Sequence, residues 1–299
     1  MNKINLRAHA KINLTLDVTG KLPNGYHTVK MVMQSVGLHD DVTVTRGTGT
    51  GISIASNLGF LPSDGNNLAV RAAGVFFEET GIPCDGVHIE LVKCIPVAAG
   101  MAGGSTDAAA VLRALNRLYD AGLSVDALCK IGVKIGADVP YCIHGGSMLA
   151  EGIGEVLTPL PPMPPCYVVV CKPPFSVVTA KVYSRMRGGN LPVRPDTNGM
   201  IEALGRADYP GVCHRLFNVM EEVTGSDYAE IGQIENVMLD AGADGAVMSG
   251  SGPTVFGLFS DLEKAALAGE RLHVYYPETY VTTILRANNA QNDFLQNPV

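Results

Sequence analysis

The segment that most constrains the fold is "IPVAAGMAGGSTDAAA", residues 95–110, which contains three glycines and a single acidic residue, Asp107. Before it, Val87, Ile89 and Leu91 alternate with polar residues, which predicts a strand. After it, apolar residues recur at helical spacing along one stripe, at Ala108, Val111, Leu112, Leu115, Leu118 and Tyr119. The chain is therefore predicted to form a strand, a glycine loop and a helix in succession.

The glycine loop has the properties of an anion site. Its glycines remove side chains where the backbone comes close to another group, and the N–H groups that open the next helix attract phosphate oxygens. A turn that needs glycine only for its backbone angles is the alternative, and both readings stay open here. A Walker loop is excluded because Gly104, Ser105 and Thr106 include no lysine, and no GxGxxG fingerprint occurs.

Composition limits the class of protein. A length of 299 residues with 46% hydrophobic and 17% charged residues predicts a globular protein of two domains. The net charge of -7, without a basic block, argues against nucleic acid as a partner. Seven cysteines without CxxC spacing argue against a zinc site or a disulfide framework. No stretch approaches the roughly 18 apolar residues of a membrane span, and no signal-peptide pattern opens the chain, so we expect a cytoplasmic protein.

The first half of the chain reads as strands followed by helices. Leu6 to Val18 alternates, with Ile12, Leu14, Leu16 and Val18 on one face and Lys11, Asn13, Thr15 and Asp17 on the other. That strand presents a cation and an amide side by side. A turn is predicted at Asn24-Gly25, two more strands in residues 40–56, a helix from Asn67 to Thr80 ended by Gly81, and a helix capped by Ser124 that reaches Lys134.

A proline-rich segment predicts the domain boundary. Thr158 to Cys166 holds five prolines in nine residues, which is typical of a linker. We therefore predict domains at residues 1–160 and 161–299. In the second, "YVVVCKP" is predicted as a buried strand, Thr179 to Met186 as a helix, and "GAVMSGSGPTVFGLF" as two strands around a glycine turn; the polar segment after Asn288 is expected to be frayed.

Three motifs in order carry a resemblance to a known family. With "AKINLTLDV" (residues 10–18), "PVAAGMAGGSTDAAA" (96–110) and "GSGPTVFGLF" (250–259), the chain resembles the GHMP small-molecule kinases from about Arg7 to about Arg286. The resemblance implies an α+β, two-domain GHMP kinase fold, with an N-terminal domain like ribosomal protein S5 domain 2 and a ferredoxin-like C-terminal domain. Gly250 and Gly252 are expected to support the glycine loop from the second domain.

Further segments are similar to one branch of this family. "NGYH" (24–27), "GADVPYCIHGG" (136–146) and "KPPFSVVTAKVY" (172–183) look like the branch that phosphorylates a cytidine-diphosphate-linked methylerythritol in non-mevalonate isoprenoid synthesis. This implies transfer of the ATP γ-phosphoryl group to the 2-hydroxyl of the sugar alcohol, with Mg²⁺ bridging the phosphates. Asp138 would be the general base and Lys11 the nearby cation; the metal ligands stay unassigned, with Ser105 or Thr106 as candidates.

The resemblance also implies the binding residues. Tyr26 and His27 would hold the cytosine, while Asn13 and Thr179 would contact the sugar alcohol, in a site between the domains. The small cytidyl-diphosphate substrate is the expected partner, and the protein is expected to be a monomer or a weak homodimer. ATP would lie against Pro96, Val97, Ala98, Ala99, Gly100, Met101, Ala102, Gly103, Gly104, Ser105 and Thr106.

Plainer interpretations remain for each of these residues. Asp138 could serve only as the N-cap of a short helix, Lys11 as a solvated charge, and the Tyr26–His27 pair as surface packing. Another GHMP kinase of the homoserine or mevalonate type, or a non-catalytic ligand-binding regulator on the same fold, are the alternative functions. The chain departs from the family at His9, where many relatives have proline, and at Ala102, where a methyl group replaces glycine and is expected to tune ATP affinity.

Overall fold

The computed structural model describes residues 2–47, 49–186 and 193–285, so the expectation for the segment after Asn288 lies outside the described residues. The strands are β1 (Lys3–Lys21), β2 (His27–Arg46), β3 (Ile52–Ser56), β4 (Val87–Val92), β5 (Ser147–Glu151), β6 (Val156–Pro159), β7 (Tyr167–Cys171), β8 (Phe217–Asn218), β9 (Gly245–Met248), β10 (Val255–Phe259) and β11 (Thr279–Thr283). The helices are α1 (Leu68–Thr80), α2 (Gly103–Leu118), α3 (Val125–Ile135), α4 (Val139–His144), α5 (Thr179–Arg185), α6 (Thr197–Gly205), α7 (Tyr209–Cys213), α8 (Glu221–Asp227), α9 (Glu230–Asp240) and α10 (Leu262–His273).

The larger sheet is built on the long antiparallel pair β1 and β2. Its order is β3-β4-β2-β1-β8, and β5 joins β2 at residues 31–34 and carries β6 on its other side. Helices α1 to α4 share a core with this sheet that includes Leu6, Val44, Phe76 and Leu112. The predicted strand, glycine loop and helix are therefore β4, residues 94–102 and α2, and the loop crosses from the sheet to its helical layer.

The smaller sheet is fully antiparallel and has the order β11-β7-β10-β9. Numbered within this sheet, that order is 4-1-3-2, with helices between its first and second strands and again before its last, which is the ferredoxin-like arrangement. Strand β7 is apolar and almost entirely buried because α10 and the neighbouring strands cover it. The expected ferredoxin-like C-terminal part is therefore confirmed.

Local signals placed most element ends where the sequence predicted them. Asn67 caps α1 by accepting from the Ala69 N–H group at 3.0 Å, and Gly81 ends that helix with a φ of 67°. Ser124 caps α3 through the Ala127 N–H group at 3.2 Å. These bonds join residues that are two or three positions apart, so the chain needs no tertiary context to form them.

The proline-rich segment separates the two sheets, because β6 belongs to the first and β7 to the second. Met163 and Cys166 in this segment are buried, and β8 from the later half of the chain pairs in parallel with β1. The two parts thus share contacts on both sides of the segment, and the boundary at residue 160 stays a prediction. Among the described residues, no helix is long and apolar enough to cross a membrane.

Strand β1 is irregular at the point where its polar residues begin. The pairing with β2 shifts between His9 and Lys11. Leu6 and Ala8 before the shift pack with the helical layer, whereas Ala10, Ile12 and Leu14 after it pack with the smaller sheet. A bulge of this kind redirects side chains. Lys11 and Asn13 consequently lie inside the molecule and are buried.

Candidate active site

The N-terminus of α2 is open to a ligand. Ala102 is its N-cap residue, and no side chain makes a capping hydrogen bond there. The backbone of Ala102 is left-handed, with φ 59° and ψ 27°, and its carbonyl oxygen accepts from the Thr106 N–H group at 2.9 Å. The first N–H groups of α2 therefore remain available for an anion, as a phosphate site requires.

The predicted ATP-binding residues differ in how they are exposed to a ligand. Five of them line a cavity of about 170 Å³ that also contacts the residues before α1: Pro96, Val97, Ala98, Gly103 and Gly104. Ala99 and Met101 are instead buried in the core beneath the loop. The Thr106 hydroxyl is also buried and donates to the carbonyl oxygen of His9 at 2.7 Å. Direct contact with ATP therefore stays a prediction for the whole set, and the cavity favours the five residues that line it.

Three buried charged side chains, Asp40, Lys93 and Asp107, form a charged cluster where the glycine loop begins and ends. The Lys93 ammonium contacts Asp40 Oδ2 and lies 2.6 Å from Asp107 Oδ2. Burial lowers the pKa of Lys93, but the two carboxylates more than offset this and raise it. Burial raises the pKa of Asp107 to about 7, with Lys93 opposing and Asp40 adding to the rise. Sequence reasoning missed Asp40 and Lys93 because neither lies in a motif.

A second glycine turn, residues 249–252, packs against the glycine loop. A Cβ atom built on Gly100, whose φ is 74°, would lie 2.2 Å from the carbonyl oxygen of Ser249. The Ser249 hydroxyl donates to the carbonyl oxygen of Gly100 at 3.0 Å, and Gly250 packs on the same peptide. Gly252 packs against Met248, and its nitrogen would lie 3.2 Å from a Cβ atom built on Gly100. The expected support of the glycine loop by Gly250 is therefore confirmed, and only glycine allows so close an approach.

Lys11 and Asn13 are side by side, as the strand pattern predicted. The Lys11 ammonium donates to Asn13 Oδ1 at 2.7 Å, and the Asn13 amide donates to Met31 Sδ at 3.2 Å. The Lys11 N–H group donates to the carbonyl oxygen of Met101, which ties β1 to the glycine loop. Asn13 is completely buried. Its contact with a substrate stays a prediction, whereas the interpretation of Lys11 as a solvated charge is wrong.

Asp138 stands at the N-cap position of α4, yet its side chain makes no capping hydrogen bond. Its carboxylate is thus not used in the role of a helix cap. Burial raises the pKa of the Cys142 thiol; Asp138 adds to the rise and Lys11 opposes it. Both charges therefore act on the same thiol of α4.

The predicted cytosine residues lie at the turn between β1 and β2. Asn24 Oδ1 accepts from the Tyr26 N–H group at 3.1 Å, and the Tyr26 ring is 60% exposed. The His27 ring stacks on Tyr183 of α5, with ring centres 5.1 Å apart and planes 23° from parallel. Burial raises the pKa of Tyr183 to about 12, and Asp138 adds to the rise. Tyr183 thus contacts a predicted site residue, and sequence reasoning left it without a role.

Thr179 connects the aromatic end of the site to the second glycine turn. Its hydroxyl lies 2.8 Å from the Ser251 hydroxyl, while the rest of the residue is exposed. Thr179 and Tyr183 fall on one face of α5, since they are four positions apart. The cue that could have identified Tyr183 in advance was this helical spacing from a residue already assigned to the substrate.

The site residues thus include a glycine loop with an open helix N-terminus, a buried lysine on β1 and an aspartate that does not cap its helix. The chain matches the model of the GHMP kinases N terminal domain over residues 67–146 and that of the GHMP kinases C terminal domain over residues 200–278. This chain belongs to the GHMP kinase family, which uses ATP as phosphoryl donor. The predicted fold and family are thereby confirmed.

Within that family, the sequence is similar to kinases that share one name. A protein of Lachnoclostridium phytofermentans named 4-diphosphocytidyl-2-C-methyl-D-erythritol kinase is 47% identical over 291 residues, which cover 97% of this chain and all of the relative. The protein of the same name from Clostridium perfringens is 44% identical over 95% of this chain and 99% of its own length.

Solved structures agree with this order of likeness. A crystal structure of 4-(cytidine 5'-diphospho)-2C-methyl-D-erythritol kinase superposes with a TM-score of 0.80 at 34% identity and covers 94% of this chain and 98% of its own. A homoserine kinase from Cytophaga hutchinsonii superposes with a TM-score of 0.75 at 21% identity, over 96% and 95% of the two chains. At that identity the likeness to homoserine kinase extends to the fold alone.

Proposed function

We propose that this chain is the kinase that transfers the γ-phosphoryl group of ATP to the 2-hydroxyl of 4-diphosphocytidyl-2-C-methyl-D-erythritol, in non-mevalonate isoprenoid precursor synthesis. The observation that carries the proposal is the likeness at 47% identity to a kinase of that name along the full length of the relative. The site geometry supports it, because an open helix N-terminus, a buried lysine and an aspartate that does not cap its helix are groups that phosphoryl transfer can use.

In this proposal Asp138 accepts the proton of the attacking hydroxyl. A carboxylate without a capping hydrogen bond is free to orient an alcohol, and the base in other kinases is also an aspartate. Lys11 stabilises the negative charge that moves between donor and acceptor. Asn13 holds the Lys11 ammonium in place through their 2.7 Å hydrogen bond, so its effect on the sugar alcohol is exerted at least in part through Lys11.

The cytosine end of the substrate is assigned to Tyr26, His27 and Tyr183. The exposed Tyr26 ring offers a face for a planar base, and the stacked His27–Tyr183 pair offers an aromatic wall on the side of α5. Burial, with a smaller effect of Lys21, lowers the pKa of His27, which favours the neutral imidazole that can both donate and accept. Thr179 is assigned to the sugar alcohol between these rings and the second glycine turn.

Mg²⁺ fits this site as an ion that arrives with ATP. Among the described residues, no group of three or more His, Cys, Asp or Glu side chains could hold a metal ion. Mg²⁺ bound to ATP needs only one or two protein oxygens, because phosphates and waters supply the rest. The Ser105 hydroxyl is the better candidate, since that of Thr106 donates to His9. Bound Mg²⁺ would neutralise phosphate charge. A cytoplasmic monomer or weak homodimer is part of the same proposal.

The test measures ADP release with ATP, Mg²⁺ and each candidate alcohol. We expect turnover with the cytidyl-diphosphate substrate and none with homoserine or mevalonate. Asp138→Asn should lower kcat by about 10²- to 10⁴-fold, the usual contribution of a general base. Asp126→Asn, which changes an exposed aspartate on α3, is the matched control and should leave kcat unchanged.

Turnover on homoserine or mevalonate alone would show a different GHMP kinase, and absence of turnover on every alcohol would favour the ligand-binding regulator. Unchanged kcat in Asp138→Asn would remove the proposed base while leaving the substrate assignment in place.

A further inference from the structure

The charged cluster of Asp40, Lys93 and Asp107 joins three separate parts of the chain. Asp40 is on β2, Lys93 follows β4 immediately before the glycine loop, and Asp107 is in the first turns of α2 immediately after it. The two carboxylates share one ammonium group, and all three side chains are at most 9% exposed. Lys93 and Asp107 thus hold the two ends of the loop together through their 2.6 Å contact.

Asp40 anchors this arrangement to the sheet. Its Oδ1 atom accepts from the N–H groups of Cys94 at 2.6 Å and Ile95 at 2.8 Å, which are the first two peptides of the loop. Hydrogen bonds to a buried carboxylate are strong and directional. One side chain therefore fixes both the start of the loop and, through Lys93, the position of Asp107 at its end.

The cluster adjoins the cavity that the glycine loop encloses. Lys93 and Asp107 line this cavity together with Gly103 and Gly104, whose N–H groups open α2. Asp107 lies one helical turn after Gly103, so a shift of Asp107 moves those N–H groups with it. A displacement of about 1 Å at such a site lowers rates or affinities by up to about 100-fold.

We propose that Asp40, Lys93 and Asp107 are positioning residues that hold the glycine loop in the shape that binds the nucleotide phosphates. The proposal rests on the proposed function only in that the loop binds ATP, and it is independent of which alcohol is phosphorylated. Asp107, in the first turns of α2, has the role of holding the end of the loop to its start. Lys93, the lysine next to the loop, is held between two carboxylates.

The experiment is a calorimetric titration of the full-length protein with ATP and Mg²⁺, without any alcohol. We expect Asp107→Ala to raise the Kd for ATP by about 10- to 100-fold. Asp107→Asn keeps an oxygen that accepts from Lys93, so its Kd should stay within about threefold of wild type. The control is Arg46→Met, because Arg46 is on the same strand as Asp40 and forms an exposed ion pair with Asp85. This variant should bind ATP normally.

A triple variant covers the case in which Asp107→Ala does not fold. Asp40→Asn with Lys93→Met and Asp107→Ala removes all three charges, the amide oxygen at position 40 can still accept from its two backbone donors, and apolar replacement of a whole buried ionic group is often tolerated. Weak ATP binding by this folded variant, with an unchanged KM for the alcohol, supports the proposal. Wild-type ATP affinity in either variant overturns it, as does tighter binding by Asp107→Ala, because Lys93 would then act on the nucleotide directly. An Asp107→Asn variant as weak as Asp107→Ala also overturns it.

ATP binding is measured without any alcohol, so a wrong alcohol assignment would leave ATP binding by the wild-type protein intact. Failure of the proposed substrate can therefore be distinguished from failure of this inference.

Discussion

Replacement of Ala102 by glycine tests how the open end of α2 is held. Ala102 has a left-handed backbone, with φ 59°, which alanine adopts at a cost of about 1 to 2 kcal/mol relative to glycine. Glycine removes this strain but gains freedom in the unfolded chain, which costs about 0.4 to 1 kcal/mol of stability. The net change is a gain of about 0 to 1.5 kcal/mol, or a rise of Tm of up to about 3 °C for a protein of this size.

The same replacement should weaken ATP binding. The methyl group of Ala102 limits the backbone to few conformations, and the left-handed one lets its carbonyl oxygen accept from the Thr106 N–H group. Glycine would have to be ordered again when ATP binds, at a cost of about 0.5 to 1 kcal/mol. We therefore expect Ala102→Gly to raise the KM for ATP by about 2- to 5-fold while the protein becomes no less stable.

The assay combines steady-state kinetics at varied ATP with thermal unfolding. Ala207 supplies the matched control, because it is also left-handed, with φ 52°, and it lies in the exposed turn between α6 and α7. Ala207→Gly should change stability by a similar amount and leave the KM for ATP unaltered. An unchanged or lower KM in Ala102→Gly, or a loss of more than about 1 kcal/mol of stability, would refute this reasoning.

Two further substitutions probe the stability of the fold. Gly100→Ala places a Cβ atom 2.2 Å from the Ser249 carbonyl oxygen and should cost more than about 3 kcal/mol in urea unfolding, whereas Gly122→Ala, with φ 66° and open space, should cost only about 1 to 2 kcal/mol; equal losses would contradict the steric argument. Burial and then the hydrogen-bonded neighbour Glu221 raise the pKa of Glu235 to about 9, so the folded state keeps a proton that the unfolded chain releases, and stability falls as the pH rises from about 4.5 to 9. The difference in unfolding free energy between Glu235→Gln and wild type should therefore shift in favour of the variant by about 1 to 2 kcal/mol from pH 5 to pH 8, a figure reduced for partial exposure. An equal difference at both pH values would count against this reasoning.

Sequence patterns were reliable where the deciding contacts are short. The helix that Gly81 ends, the Ser124 cap, the Asn24-Gly25 turn and the strand of alternating residues before the glycine loop were all predicted and found. Each depends on hydrogen bonds or side-chain directions within a few residues, which the local sequence determines. The pairing of Lys11 with Asn13 belongs to the same class, because residues two apart share one face of a strand.

Long-range partners were not predictable in the same way. The alternation in β1 showed which residues share a face, but not that the polar face would be covered and Lys11 buried. Lys93 and Asp40 are 53 positions apart, and nothing in their own segments marks either as the partner of the other. The same holds for Tyr183, whose contact with His27 exists only after α5 is placed beside the turn.

The glycine loop illustrates the division most clearly. The sequence by itself determined a strand, a loop that tolerates close approach and a helix with an open N-terminus, because glycine conformations and helical spacing are local properties. Only the tertiary structure decided that Ser249 presses on Gly100 and that Lys93 closes the loop through Asp107. Those contacts depend on which distant segments the two sheets bring together, and a residue's own neighbours in the chain carry no information about that.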